Sequence, residues 1–360
     1  PLLLMGRVSR SVDAWNTRVA LAEALNARVL TDLKVGGAFP TDHPLHAAPP
    51  GVFLTPDAAA VVRDADVILS LDWVDLAGTL KQGFGNDDVG ARVIQVSMDQ
   101  VLHNGINMDH QGLPPTDLTL FCDPESAVVD LAREIGVQTP AYSAARATST
   151  PVSSQRGPIS IGMVADALRS ALDGRDACLL HLPLGWAGDM WHFRHPLDFV
   201  GSDGGGGIGA GPGLTVGGAI ALLGAARLPV SILGDGDYLM GATAFWTAAN
   251  ARVPLLAIVC NNRSFFNDEV HQERVAKTRG RPVENRWIGQ RIDDPAPDLA
   301  MIARAQGLHG VGPVTDAAAL AQALRDALHA VAQGKAVVVD VHVQPGYNPA
   351  MAAGMTRAHG

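Results

Sequence analysis

Two short polar motifs in the second half of the chain have the residue types of a metal and phosphate site. Gly234-Asp235-Gly236 and Asn261-Asn262 each follow an apolar segment typical of a buried strand, with 24 residues (237–260) between them. A carboxylate and an amide are hard oxygen ligands, which suit Mg²⁺ in an octahedral site shared with phosphate oxygens. Glycines on both sides of Asp235 allow a sharp turn and a close approach of backbone N–H groups to a phosphate. The two motifs therefore predict a magnesium–diphosphate site.

The spacing of the motifs strengthens this prediction. The intervening segment predicts a helix over 241–252 and a strand over 255–260, which is a right-handed crossover between parallel strands. Asp235 and Asn262 would then leave the carboxyl ends of neighbouring strands, where α/β sheets bind ligands. A Gly-Asp-Gly motif alone more often marks only a tight turn. The two motifs together favour a binding site.

The rest of the chain alternates strand and helix patterns, which predicts two doubly wound α/β domains with mainly parallel sheets. The predicted domains are 1–140 and 159–345, joined by a linker at 141–158 and followed by a tail at 346–360. In the first domain, strands are predicted over 2–5, 29–33, 66–71, 92–97 and 118–122, and helices over 13–25, 58–63 and 126–135. In the second, strands are predicted over 178–182, 229–233, 255–260 and 336–343, and helices over 161–172, 215–226, 241–252, 298–306 and 317–332.

Composition limits the function classes. The chain has 360 residues, 47% of them hydrophobic, and a net charge of −9, which argues against nucleic acid or an anionic membrane as a partner. Its three cysteines are widely spaced and odd in number, which fits a reducing compartment. The apolar run 216–234 is interrupted by Arg227 and Pro229, so a helix and a strand are expected there instead of a membrane span. We expect a cytoplasmic protein, and a strand pattern at Pro1 suggests that the sequence starts at an internal domain boundary.

The two motifs at this interval resemble the cofactor signature of the thiamine diphosphate-dependent enzymes, in the group of pyruvate oxidase, acetolactate synthase and benzoylformate decarboxylase. The resemblance implies that Asp235, Asn262 and the main-chain carbonyl of Ser264 bind Mg²⁺. It also implies that the turn Gly234-Asp235-Gly236-Asp237 contacts the diphosphate. Many members have serine where Asp237 stands, and a second carboxylate near phosphates is unfavourable unless it points away.

The resemblance covers most of the chain. Residues 1 to about 140, with Gly6-Arg7 and the segment 39–44, resemble the family's central domain, and residues from about 158 resemble its diphosphate-binding domain. The family's pyrimidine-binding domain, which carries the glutamate that activates the cofactor, has no counterpart in the sequence. We therefore expect that glutamate on a missing segment or on another chain. Family sites lie between subunits, which implies a homo-oligomer, a dimer or a tetramer.

Other site residues follow from the resemblance with alternatives. Gly207 and Ile208 would contact the cofactor, with Ile208 as the apolar residue beneath the thiazolium ring; a flexible glycine loop is the alternative. Phe265 and Phe266 would line the substrate pocket. His271 would donate a hydrogen bond or move a proton, unless it belongs to the exposed face of a surface helix, the interpretation that the sequence favours.

Two further clusters remain open. Trp186, Trp191, His192 and His195 suit either an active site or a packed subunit interface. The turn 6–10 resembles a nucleotide-contacting turn, and some relatives hold FAD there, but it is short of the full glycine fingerprint.

The resemblance implies decarboxylation of a small 2-oxo acid, with or without carboligation, in which thiamine diphosphate stores the electrons. Acetolactate synthase proper is a rival of the same chemistry. A non-catalytic or incomplete subunit, which needs a separate pyrimidine-binding domain, is a rival of another class.

Overall fold

The structure, a computed structural model, describes residues 1–99, 110, 112–138, 157–202 and 207–346. These residues form two compact units. The first contains the described residues of 1–138 together with 187–202, and the second contains 157–186 and 207–346. The predicted linker 141–158 and tail 346–360 lie almost entirely outside the described residues.

The first unit is built on a five-stranded parallel sheet in the order β2-β1-β3-β4-β5. The chain starts in β1, the second strand of this order, and adds β2 on one side and then β3, β4 and β5 on the other, which is a doubly wound topology. Its strands are β1 (Leu2–Met5), β2 (Arg28–Thr31), β3 (Val67–Leu71), β4 (Arg92–Val96) and β5 (Leu118–Leu120). Its helices are α1 (Val12–Ala24), α2 (Pro56–Arg63), α3 (Leu76–Phe84) and α4 (Pro124–Glu134).

Helix α3 has no predicted counterpart. Gly78 and Gly83 lower its intrinsic helix propensity, which hides it in the sequence. Asp75 compensates as the N-cap, since its Oδ1 accepts the Gly78 N–H at 3.0 Å.

Residues 187–202 fall inside the range predicted for the second domain, yet they pack with the first unit. The Phe193 N–H donates to Thr41 Oγ1 at 2.9 Å, and the Gly37 N–H donates to the Phe199 carbonyl at 2.9 Å. Proximity in sequence to the residues of the second unit therefore does not decide where this segment packs.

The second unit has a five-stranded parallel sheet in the order β6-β7-β8-β10-β9. Its strands are β6 (Ala177–His181), β7 (Leu228–Gly234), β8 (Leu255–Asn261), β9 (His309–Val314) and β10 (Ala336–His342). Its helices are α5 (Ile161–Leu172), α6 (Ala210–Ala221), α7 (Asp235–Gly241), α8 (Ala244–Asn250), α9 (Phe266–Thr278), α10 (Leu299–Ala305) and α11 (Ala317–Ala332). The fold class, two doubly wound α/β units with parallel sheets, is confirmed.

Several details of the second unit differ from the prediction. The helix predicted over 241–252 corresponds to α8, and a further helix, α7, precedes it and begins directly at Asp235. Strand β9 was not predicted because Gly310, Gly312 and Pro313 are poor strand formers. Helix α9 was expected only as a surface helix around His271, without bounds. Within the described residues, no helix is both long and apolar enough to cross a membrane.

Candidate functional site

Strands β7 and β8 place the two polar motifs side by side. They are adjacent and parallel, with Gly234 opposite Cys260 in the register. Asp235 and Asn262 therefore leave neighbouring strand ends at the carboxyl edge of the sheet. This confirms the crossover predicted from the spacing of the motifs.

Asp235 is a buried carboxylate at the start of α7, with 3% of its surface exposed. Its Oδ1 accepts the Gly236 N–H at 2.9 Å, and its Oδ2 accepts the Ser264 N–H at 3.1 Å. Burial raises the pKa of Asp235 to about 6, against the opposing effect of these backbone donors. The group is thus a desolvated anion at neutral pH, and a nearby cation would stabilise it.

The structure brings the side chains of Asp235 and Asn262 to the backbone of Ser264, so the three residues predicted to bind metal lie together. Asn262 Oδ1 accepts the same Ser264 N–H, at 2.9 Å, so the side-chain oxygens of Asp235 and Asn262 converge on one backbone atom. In the part of the chain that the structure describes, no group of three or more His, Cys, Asp or Glu side chains could hold a metal. A metal ion here would thus have one carboxylate and neutral oxygens from the protein. That donor set fits Mg²⁺ sharing its shell with a diphosphate.

Asn261 has a different task from Asn262. Its Nδ2 donates to the buried Asp340 Oδ1 at 3.0 Å, and its Oδ1 accepts the Arg263 N–H at 3.1 Å. Arg263 has a φ of 58°, in the left-handed region that is unfavourable for side chains other than glycine. Asn261 and Asp340 therefore hold the strained turn that presents Asn262 and Ser264.

The side chain of Asp237 points away from the metal turn, residues 234–236. This removes the objection that a second carboxylate would lie near the phosphates. Its Oδ1 accepts the N–H groups of Gly209 at 2.7 Å and Gly211 at 3.2 Å, at the N-terminus of α6. A Cβ on Gly211 would lie 2.0 Å from Asp237 Oδ2, so only glycine allows this approach. The side chain of Asp237 is therefore committed to α6.

Gly207 and Ile208 lie in the turn that precedes α6, and both are exposed. The hydrogen bond from Gly209 to Asp237 ties this turn to α7, beside the metal turn. Ile208 is 41% exposed. Residues 203–206 of the glycine loop lie outside the described residues.

Phe265 contacts the metal turn directly. A Cβ on Gly236 would lie 2.2 Å from Phe265 Cε1, so the ring packs against that glycine. A Cβ on Gly234, by contrast, would have nothing within 4 Å. Phe266 is the first residue of α9 and is half-buried.

The remaining sequence candidates belong to helix α9 and to the segment 186–195. His271 is exposed on α9, in agreement with the surface-helix interpretation. Trp191, His192 and His195 belong to the 187–202 segment of the first unit, whereas Trp186 is buried in the second.

Backbone N–H groups of the turn 6–10, which resembles a nucleotide-contacting turn, donate hydrogen bonds within the chain. The N–H groups of Gly6 and Arg7 continue the pairing with β3 by donating to the carbonyls of Leu71 and Asp72, both at 3.0 Å. The Ser9 N–H donates to Glu125 Oε1 at 2.7 Å. With three of its donors engaged, the turn gives no support to an FAD site.

Sequence reasoning missed Glu269, Arg291 and Asp340. Glu269 is 1% exposed and hydrogen-bonds to Ser264, but it stands in a uniformly polar stretch, 267–269, with nothing to separate it from its exposed neighbours. Asp340 interrupts the apolar strand β10. A lone carboxylate in a buried strand was the one available signal.

Comparison with known proteins places this geometry in a family. Residues 183–341 match the C-terminal TPP binding domain of the thiamine pyrophosphate enzymes, and residues 1–131 match the central domain of the same family. Sulfoacetaldehyde acetyltransferase from Castellaniella defragrans is 24% identical over 349 residues, which cover 86% of this chain and 55% of that protein. The enzyme of that name from Rhodobacter capsulatus is 33% identical over 141 residues, 38% of this chain and 22% of that protein.

Solved structures show the same fold. The thiamine diphosphate-dependent 4-hydroxybenzoylformate decarboxylase of Rhodococcus jostii has a TM-score of 0.68 at 21% identity, covering 97% of this chain and 62% of that one. Benzoylformate decarboxylase from Polynucleobacter necessarius has a TM-score of 0.70 at 19% identity, covering 96% and 62%. The chain spans 55% of the length of the relative from Castellaniella defragrans, and its match to the one from Rhodobacter capsulatus covers 22% of that protein. With matches to both domains, the chain belongs to the thiamine pyrophosphate enzyme family.

Proposed function

We propose that this chain holds the diphosphate and Mg²⁺ in an enzyme that decarboxylates a small 2-oxo acid, with or without carboligation. The observation that carries the proposal is the convergence of Asp235 and Asn262 oxygens at the carboxyl edge of the β7–β8 pair. Decarboxylase and acetyltransferase names both occur among the relatives. The proposal therefore includes both an enzyme that only decarboxylates its substrate and an enzyme that joins the decarboxylated product to an acceptor.

Each site residue has a task in this proposal. Asp235, Asn262 and the Ser264 carbonyl hold the metal, and the backbone of Gly234, Gly236 and Asp237 faces the diphosphate. Bound thiamine diphosphate supplies an electron sink at the substrate's keto carbon. The protein's contribution is to fix its position.

The residues around the metal turn would shape the rest of the pocket. Gly207 and Ile208 contact the cofactor ring, and Phe265 and Phe266 cover the side chain of the 2-oxo acid. His271 is a candidate proton donor that would need to be brought in from the exposed face of α9.

We also propose that the activating glutamate and the pyrimidine-binding domain come from outside these 360 residues, on a further segment or a second chain of a homo-oligomer. Two facts support this. The matched domains are the central and the C-terminal ones, and the chain covers 55% of its curated relative. The alternative is a non-catalytic subunit that has the diphosphate and metal site but does not carry out the reaction.

A 2-oxo acid panel tests the proposed activity. The chain is supplied with thiamine diphosphate and Mg²⁺, alone and with a pyrimidine-binding domain added, and CO₂ release and condensation products are measured. We expect CO₂ from at least one 2-oxo acid in the completed assembly, and loss of that activity with Asn262→Ala. Cofactor binding without CO₂ release in the completed assembly would favour the non-catalytic alternative.

A further inference from the structure

A buried carboxylate lies behind the metal loop, residues 262–264. Glu269, in the first turns of α9, is 1% exposed, and its Oε1 accepts a hydrogen bond from Ser264 Oγ. Ser264 is itself 4% exposed. The carboxylate therefore contacts the residue whose main-chain carbonyl is the third proposed metal ligand, from the side-chain end of that residue.

Glu269 is also paired with an arginine from the segment that follows α9. Arg291 Nε lies 2.8 Å from Glu269 Oε1, and Arg291 Nη2 lies 3.5 Å from Oε2. The side chain of Arg291 is 41% exposed, whereas the side chain of Glu269 is 2% exposed. The arginine therefore covers the carboxylate on its solvent side. Charge-assisted bonds of this kind are stronger than neutral ones.

The backbone on both sides of Arg291 is hydrogen-bonded to the metal loop and its neighbours. The Phe265 N–H donates to the Gln290 carbonyl, and the Ile292 N–H donates to the Arg263 carbonyl, each at 2.9 Å. These two bonds place Ser264 opposite Arg291 in an antiparallel bridge. The loop is thus held by a backbone pair on both sides of Ser264 and by Glu269 at its side chain.

We infer that Glu269 and Arg291 are positioning residues that fix the Ser264 main chain, and with it the metal-binding geometry of the loop 262–264. The inference rests on the proposed function. Groups that hold metal ligands in place usually affect metal affinity although they do not touch the ion. Neither residue needs to contact substrate or cofactor for this role.

Glu269→Gln tests the inference, with Glu273→Gln as the matched control. Glu273 lies on the same helix one turn further and pairs with Lys277 and Arg286, away from Ser264. The first readout is amide hydrogen exchange of the cofactor-free chain at Ser264, Phe265 and Ile292. The second is the affinity of the full chain for Mn²⁺ in the presence of thiamine diphosphate, from the electron paramagnetic resonance of free Mn²⁺.

We expect Glu269→Gln to speed exchange at those three amides and to weaken Mn²⁺ binding by about tenfold or more, while Glu273→Gln changes neither. Unchanged exchange in Glu269→Gln would overturn the inference. So would faster exchange with unchanged Mn²⁺ affinity, because Glu269 would then be a structural residue only. A wild-type chain with no cofactor-dependent Mn²⁺ binding would overturn the proposed function instead, and the inference with it.

A second variant guards against misfolding of Glu269→Gln. Ser264→Ala removes the hydroxyl that Glu269 binds and keeps the main-chain carbonyl. Under the inference it weakens Mn²⁺ binding too, and the double variant with Glu269→Gln loses less than the two separate losses combined. Independent, additive effects would overturn the inference.

Discussion

Two carboxylates two residues apart, Asp235 and Asp237, have opposite orientations because they stand on one helical turn. In an α-helix, successive residues are about 100° apart, so positions i and i+2 face nearly opposite sides. Asp235 accordingly faces the loop at Ser264, and Asp237 faces the N-terminus of α6. From the residue types alone, the two aspartates are equivalent acidic residues beside a predicted phosphate site. The start of α7 decides which of them can hold a metal.

At this scale we predict that Asp237→Ala destabilises the second unit by about 1–2 kcal/mol, since loss of a side-chain cap leaves helix N–H groups unpaired. The orphaned donors are those of Gly209 and Gly211. The control is Asp326→Ala, an exposed aspartate on α11 that bonds to Gln322, with an expected change within about 0.5 kcal/mol. Urea unfolding followed by circular dichroism measures both, and equal midpoints would contradict the capping role.

At the scale of elements, the sequence predicted what local pattern specifies and missed what tertiary contacts supply. Strands β7 and β8 and helix α5 have strong apolar patterns, and their predicted positions agree with the structure within one residue at each end. Helix α6 starts at Ala210, five residues before the predicted 215, because its cap is Asp237 from a different element. The proximity of Asp235 to the loop 262–264 was predictable from residue type and spacing, whereas the roles of Glu269 and Arg291 follow only from their tertiary contacts with that loop and with each other.

A buried ion pair joins α1 to α4. Arg18 has no exposed side-chain surface and pairs with Glu125, and it also donates to the carbonyls of Ala38 and Ser9. Burial lowers the pKa of Arg18 to about 10, so it stays charged at neutral pH.

We predict that Arg18→Met lowers the stability of the first unit by about 3 kcal/mol, because removal of one partner leaves a largely buried charge uncompensated. Arg133→Met is the matched control, since Arg133 forms an exposed pair with Asp130 and its loss should change stability by less than about 1 kcal/mol. Differential scanning calorimetry of both variants measures the effect. A shift in Arg18→Met no larger than in the control would show that the pair is not needed.

At the scale of the whole molecule, each unit has its own parallel sheet and its own core. The two units match the central and the C-terminal TPP binding domains of one family, and every residue proposed to hold the metal lies in the second. Under the proposed function, one unit anchors the cofactor, and the reaction needs the pyrimidine-binding domain that completes the site.

Calorimetric titration of thiamine diphosphate and Mg²⁺ into the wild-type chain and Asp235→Asn tests the central claim most directly. The substitution keeps the size of the side chain and removes the carboxylate that faces Ser264; Asp326→Asn is the control. We predict magnesium-dependent binding for the wild type and the control, and loss of the magnesium dependence in Asp235→Asn. Equal magnesium-dependent binding by all three, or none in the wild type at millimolar cofactor, would contradict the assignment of Asp235 as the metal anchor.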